Sequence, residues 1–336
     1  MTIRRNKVSD LPPEVESLCI GKDPLRPNDC EDRTVVVLPF LAAVIDGATD
    51  LFGISYGGHK PGWISAEIVA RTLKRNARRA YNEQWDDLRM SREIDRSFKA
   101  VYDHLDLTET VTQQPSLRFR SGGTIAAATH AGLRISGDLS LARVDGVVLK
   151  PSEPNDAERV FIEMRRAFWQ DKAFAGLDAA ERDKAIKSLL VRGISPPSQH
   201  EDACNRVTRQ LLENPRFSRQ VVEEALLHGL AGIRETRDIS SALFSPAFDG
   251  FSSQSGQRPV TVLPWGSFKT IELFSDGYPG IPEGTSGVDW ENLVVMANQN
   301  DPHRIGLFGA VKGCVQDGHH DDRSLVIVRD WKEPPC

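Results

Sequence analysis

Three aspartates of this 336-residue chain stand beside short apolar runs: Asp46 after Leu-Ala-Ala-Val-Ile, Asp276 after Ile-Glu-Leu-Phe-Ser, and Asp321 just ahead of Ser-Leu-Val-Ile-Val. Glycine follows the first two, at 47 and 277. A carboxylate at the end of a buried strand is held rigidly with one face open, and the glycine allows a sharp turn or a close approach. Oxygen ligands of this kind suit hard divalent cations such as Mg²⁺ and Mn²⁺. Glu31-Asp32 precedes the first apolar run, and Asp138 lies in a Gly-Asp step between two others. A single Asp-Gly at a strand end is ordinarily only a turn, and Asp145-Gly146 reads that way, as a hairpin. The ordered set of acids carries the signal.

The elements that must position them follow from the apolar pattern. Thr34–Leu38 and Phe40–Ile45, separated by Pro39, read as buried strands. Helices are expected over 64–80 and 91–105, where apolar residues recur at helical spacing. Strands follow at 124–129, 133–135, 139–144 and 147–149. From 151 to 230 the pattern is helical again. Asp178 with Glu181 forms a capping box there, Ser218 caps a later helix and Gly229 stands near that helix's end. Strands at 270–274 and 324–328 close the chain, with a short helix near 291–297 between them. Strands at both ends and helices in blocks make this an α+β chain, with no regular βαβ alternation.

Composition narrows the classes. Apolar residues make up 40% and charged residues 26%, which permits a substantial core. The formal charge of -5 argues against nucleic acid as the main partner. The basic run Arg71, Lys74, Arg75, Arg78, Arg79 reads as the solvated face of a helix. No apolar run is long enough for a membrane span, and the first ten residues lack the apolar segment of a signal peptide. Five scattered cysteines with no C-x-x-C pair argue against a disulfide framework and for a reducing cytoplasm.

The acids with their surroundings resemble the type 2C, or PPM, family of metal-dependent serine/threonine phosphatases. The matching stretches are Asn28-Asp29-Cys30-Glu31-Asp32, Ala43-Val44-Ile45-Asp46-Gly47, Ser121-Gly122-Gly123-Thr124-Ile125-Ala126, Gly137-Asp138-Leu139-Ser140, Ser275-Asp276-Gly277 and Asp321-Asp322 with Arg323 to Val328. They come in the family's order and span about residues 26 to 330. The resemblance implies a four-layer α-β-β-α sandwich of two antiparallel sheets flanked by helices, in one phosphatase-like domain over 1–336, with 151–230 including an insertion. It implies two or three Mn²⁺ or Mg²⁺ ions at one end, between the sheets. Asp46 would bridge two metals and the Gly47 carbonyl would bind the second. Asp276 and Asp321 would bind the first, Asp138 a third, and Glu31 and Asp32 would contact the second mostly through water. The implied reaction is attack of a metal-activated water on a phosphomonoester, with phosphoserine or phosphothreonine in a protein as substrate.

Departures from the family pattern are specific. The family's histidine two positions after the bridging aspartate is replaced by Ala48. A proton donor of that kind contributes typically ~10²–10⁴-fold, so His59 in the following glycine-rich loop is the candidate substitute, with His319 and His320 as others. Arg26 is the candidate phosphate-holding arginine, with Lys22 in competition. A small-molecule phosphatase and a regulatory binding module with this fold and little turnover are the alternatives.

Overall fold

Side-chain alternation along the strands decides where everything else goes. The computed structural model describes residues 13–113, 120–129, 132–136, 140–149, 156–194, 200–236, 240–244, 246–251, 268–313 and 320–331. One sheet contains β2 (Asp32–Val37), β3 (Leu41–Gly47), β4 (Gly123–Thr129) and β5 (Gly132–Ser136), in that order. The other contains β1 (Glu14–Ile20), β6 (Ser140–Val144), β7 (Val147–Leu149), β8 (Thr270–Ser275) and β9 (Arg323–Arg329), in the order β1-β9-β8-β6-β7. Neighbouring strands pair antiparallel in both sheets.

Ala42, Val44, Ala126 and Ala128 of one sheet meet Ile271, Leu273, Val326 and Val328 of the other in the inter-sheet core. The alternate residues Leu41, Ala43, Ile45 and Ile125 face outward and pack on α1 (Pro61–Asn82) and α2 (Asp87–His104). On the far side Phe274, Leu325 and Ile327 pack on Trp290 and Val294 of α8 (Gly287–Asn300). The layers therefore run helix, sheet, sheet, helix, as the resemblance implied. Small residues on the inner face of β3 and β4 let the sheets approach closely, while the bulk of Phe98, Tyr102 and Trp290 fills the outer layers.

Beside the sandwich, α4 (Asp156–Gln170), α5 (Ala179–Arg192), α6 (Glu201–Leu212) and α7 (Arg219–Glu235) enclose an apolar cluster of their own, centred on Phe161, Phe168, Phe174 and Val222. Asp178 and Glu181 form the capping box expected at α5, and the Ser218 hydroxyl accepts from the Val221 amide at the start of α7. α7 does not stop at Gly229: it kinks there, with φ 61°, and runs on to Glu235. The reason is contact, since a side chain at 229 would overlap the backbone of residues 190 to 193. β1 and the short α3 (Thr108–Gln113) were not legible in the sequence. β1 is an edge strand whose two glutamates and serine dilute its apolar pattern.

The glycines after the aspartates serve a purpose other than a turn. A Cβ on Gly277 would overlap the Asp322 carbonyl, and one on Gly47 would overlap the Gly62 carbonyl and stand 2.6 Å from that of Glu31. Both mark places where backbone packs on backbone and draws the acid-bearing segments together. Gly277→Ala is therefore expected to destabilise the protein by about 3 kcal/mol in urea denaturation. Gly280→Ala, whose new methyl would meet only Leu293 at 3.7 Å, serves as the near-neutral control.

Candidate functional site: an acid cluster between the sheets

The alternation that builds the inter-sheet core continues past its apolar residues at one end. On β3 the inner face runs Ala42, Val44, Asp46; on β2, directly paired, it ends at Asp32 opposite Asp46. Thr124 of β4 faces Asp46 from the other side. On the second sheet the inner faces of β8 and β9 end at Ser275 and Ser324. Polar groups thus replace aliphatic ones where β2, β4 and β9 begin and where β3 and β8 finish.

These groups are firmly placed. The Ser324 hydroxyl donates to Asp32 Oδ2 at 2.8 Å, and the Ser324 amide donates to Ser275 Oγ at 2.9 Å, so Asp32 ties the two sheets together. Asp322, 3% exposed, accepts from the Lys22 amide at 2.7 Å and from the Glu31 amide at 3.1 Å, pinning both ends of the β1–β2 connection to the start of β9. Glu31, 1% exposed, has its Oε2 on Lys22 Nζ at 2.7 Å and on Thr49 Oγ1 at 3.2 Å. Its Oε1 is buried and has no hydrogen-bond partner among the described residues. That atom lies 2.7 Å from where a Cβ on Gly62 would stand, so the glycine leaves the space open.

Two lysines stand among the acids. Lys22 Nζ is 3.0 Å from Asp322 and 3.8 Å from Asp321, besides its bond to Glu31. Lys312 donates to Asp321 and, at 3.4 Å, reaches Thr49. Burial, then the charges of Asp32 and Asp276, pushes the Asp46 carboxyl well above the usual range, with Lys312 opposing. Burial pushes Asp32 up as well, against the hydrogen bonds of Ser275 and Ser324. Asp321 goes the other way: burial would raise it, but Lys312 and Lys22 hold it below its ordinary value. Burial alone would lower both lysines, yet the neighbouring carboxylates raise them above the ordinary lysine value. Asp46, Asp276 and Asp321 are thus close enough to act on one another's charge. Glu31, Asp321 and Asp322 turn toward the two ammonium groups, and among the described residues no three His, Cys, Asp or Glu side chains stand in ligating geometry about one point.

The other expected residues lie as follows. Gly47 ends β3, its amide donating to the Glu31 carbonyl at 3.0 Å. Arg26 is not brought to the acids: its side chain is 65% exposed and paired with Asp23 at 2.7 Å and Asp29 at 3.4 Å. Lys22, the competing residue, holds the inner position. His59 is exposed and stacks on Trp63, ring centroids 3.8 Å apart, in a tight Tyr56–His59 turn. His320 has a buried Nδ1 without a partner among the described residues, and burial carries its pKa down to about 4. Asp138 and His319 lie outside the described residues.

Lys312 was not legible in the sequence, because nothing local marks it. It comes in on a loop that other elements hold. Asp301, at the end of α8, accepts from the amides of Ile305, Gly306 and Phe308 at 2.8–3.0 Å. From α4, Arg165 donates to the carbonyls of His303 and Arg304, and Arg166 to those of Ile305 and Gly306. Arg165 also pairs with Asp183 of α5, against which Gly313 packs. The helical region therefore grips the very segment that carries Lys312 to Asp321.

No family model matches this chain, and no curated protein matches it. Among solved structures it is similar to the serine/threonine phosphatase Stp1 from Staphylococcus aureus, with 12% identity, 98% of this chain and 99% of that one covered, and a TM-score of 0.43. A bacterial serine phosphatase gives 12% identity, coverage of 96% and 100%, and a TM-score of 0.43. RsbX, solved in complex with magnesium, gives 9%, 94% and 98%, and 0.38. These structural neighbours are PPM-type phosphatases. The likeness is one of architecture, and the reading of the site rests on its own residues.

Lys312→Met removes a cation from the acids without changing the length of the side chain. In metal-free buffer the variant is expected to lose about 1 kcal/mol of stability, the range for a partly exposed ion pair. Added Mn²⁺ should raise its melting temperature more than it raises that of the unsubstituted protein. Equal Mn²⁺-induced shifts in paired thermal melts would show that Lys312 and the cation do not compete.

Proposed function

We propose that this chain is a metal-dependent phosphomonoester hydrolase acting on phosphoserine or phosphothreonine in proteins. The observation that carries the reading is the imbalance of the site: Glu31, Asp46, Asp276, Asp321 and Asp322 share two lysines, with Asp32 beside Asp46. Like-charged carboxylates at such closeness are costly, and a fold built around them needs cations. The donor set fits divalent ions of the Mg²⁺ or Mn²⁺ kind: every donor is an oxygen, and the buried Glu31 Oε1 has no hydrogen-bond partner among the described residues.

Asp46, the Gly47 carbonyl, Asp276 and Asp321 are the residues that would hold the ions, with Glu31 and Asp32 behind them and Asp138 assigned by the resemblance alone. When bound, such ions supply Lewis-acid charge to the phosphoryl oxygens and make a water nucleophilic near neutral pH. The chain's own groups do the rest. Asp32 and Asp322 fix the strands that carry the ligands, through Ser324 and through the Lys22 and Glu31 amides. Lys22 and Lys312, whose ammonium groups stand at the acids, would offer charge to a phosphate, the role expected of Arg26. α4 to α7, as a helical insertion, hold the rim of the site and bear on the choice of substrate.

A second reading, a binding module of this fold with little turnover, is favoured by one group of facts. Both lysines already compensate the acids, Ala48 stands where the proton donor is expected, and His59 is stacked on Trp63. Phosphate release from p-nitrophenyl phosphate and from a phosphothreonine peptide, with Mn²⁺ and with EDTA, separates the readings. Turnover with Mn²⁺, lost in EDTA, is expected; absence of turnover with any divalent ion would leave the binding module. Asp46→Asn should reduce turnover by at least about 100-fold, as loss of charge stabilisation of this kind does. An undiminished rate in that variant would remove Asp46 from the ligand set.

A further inference from the structure

The described cysteines include two that the chain separates by eleven positions and the fold brings together. Cys19 lies exposed near the end of β1, and Cys30, 6% exposed, immediately precedes Glu31. Their sulphur atoms are 3.8 Å apart. Both thiols are directed at the same backbone group, the Asp32 carbonyl, Cys19 at 3.4 Å and Cys30 at 3.8 Å. Gly21 lies against the pair: a Cβ there would stand 3.4 Å from Cys30 Cβ, at ordinary contact distance. A disulfide has its sulphurs about 2.05 Å apart, so bonding requires them to close by only about 1.8 Å, within reach of small side-chain rotations.

We propose that Cys19 and Cys30 are a redox modification site, an accessible thiol and a buried resolving thiol that join in a reversible disulfide. The oxidant is a peroxide. The Cys19 thiolate attacks one peroxide oxygen, the O–O bond breaks, and Cys19 becomes a sulfenic acid as hydroxide leaves. The Cys30 thiolate then attacks the Cys19 sulphur and displaces the second hydroxide, forming the S–S bond. With the protons of the two thiols, the balance is two thiols and one hydrogen peroxide giving one disulfide and two waters. A small-molecule dithiol or a cellular thiol reductant reverses the step by exchange. Exposure makes Cys19 the first sulphur attacked, and burial keeps Cys30 for the resolving step.

The consequence is local and mechanical. The closed ring contains Lys22, which bonds to Glu31, Asp321 and Asp322, and it ends one residue before Glu31. The disulfide therefore fastens the β1–β2 connection in the arrangement that keeps Lys22 on the acids. Restraint of the unfolded chain should also raise the unfolding temperature. Nothing in this proposal depends on the phosphatase reading, because the bond and its effect on stability are measured without substrate.

The experiment uses the full chain, reduced, freed of reductant and exposed to a small excess of hydrogen peroxide. Free thiols are then alkylated, and the protein is digested with trypsin without reduction and analysed by mass spectrometry. The expected product is a cross-link between the peptide ending at Lys22 and the peptide ending at Arg33, released by dithiothreitol, with a higher melting temperature before release. Cys19→Ser should lose the cross-link, and in that variant Cys30 should be recovered alkylated. The proposal is overturned if Cys19 passes to the sulfinic acid while Cys30 is recovered as a free thiol. It is equally overturned if either sulphur is found bonded to Cys204, Cys314 or Cys336 instead.

Discussion

Mutual repulsion among buried carboxylates is the constraint around which this structure is arranged. Water would screen such charges; the gap between two packed sheets does not. The fold answers with several devices at once. Asp32 is stabilised by serine hydroxyls, Asp322 by two backbone amides, and Asp321 by two lysines. Asp46 receives less help, and burial, with the charges of Asp32 and Asp276, pushes its carboxyl toward the neutral form. The acids therefore divide into those that hold the scaffold and those left with unsatisfied capacity. That division is what a cation-binding site requires.

The lysines give the site two possible sets of counter-ions. On the proposed reading a divalent cation would compete with an ammonium group for the same oxygen atoms, and the lysine that yields would be a fixed positive charge nearby. Lys22 and Lys312 reach the acids from different segments of the chain. Lys22 belongs to the short connection between β1 and β2, next to the paired cysteines. Lys312 belongs to the loop after α8, which Asp301 organises and Arg165 and Arg166 of α4 grip. Events at the cysteines or at the helical region thus bear on the acid cluster through different lysines, which gives a physical route from each to the site.

Most of the sandwich was legible because its inner strands are buried on both faces and read as unbroken apolar runs. β3 and β9 are of this kind, β8 is interrupted only by Glu272, and each lies beside one of the three aspartates Asp46, Asp276 and Asp321. α1 and α2 were legible from their apolar stripes, and the run of basic residues on α1 does lie exposed, with Arg71 and Arg79 paired one turn away to Glu67 and Glu83. β1 was not legible, since an edge strand buries too little to need a strong pattern. Gly229 misled for a related reason: a glycine marks both a helix end and a close helix contact, and only the position of α5 distinguishes them.

Residue type and order determined the identity of the acids, because a carboxylate that ends an apolar strand is a local feature. The strand period of two also determined that Asp32 and Asp46 share the face of their inward-pointing neighbours. What tertiary structure alone decided is which partners those acids meet. Lys312 reaches Asp321 through a loop held by residues more than a hundred positions away, Arg26 turns outward to Asp23 and Asp29, and Cys19 of β1 meets Cys30 in the segment ahead of β2. Such pairings depend on the distance through space between segments remote in the chain, and no local periodicity encodes that distance.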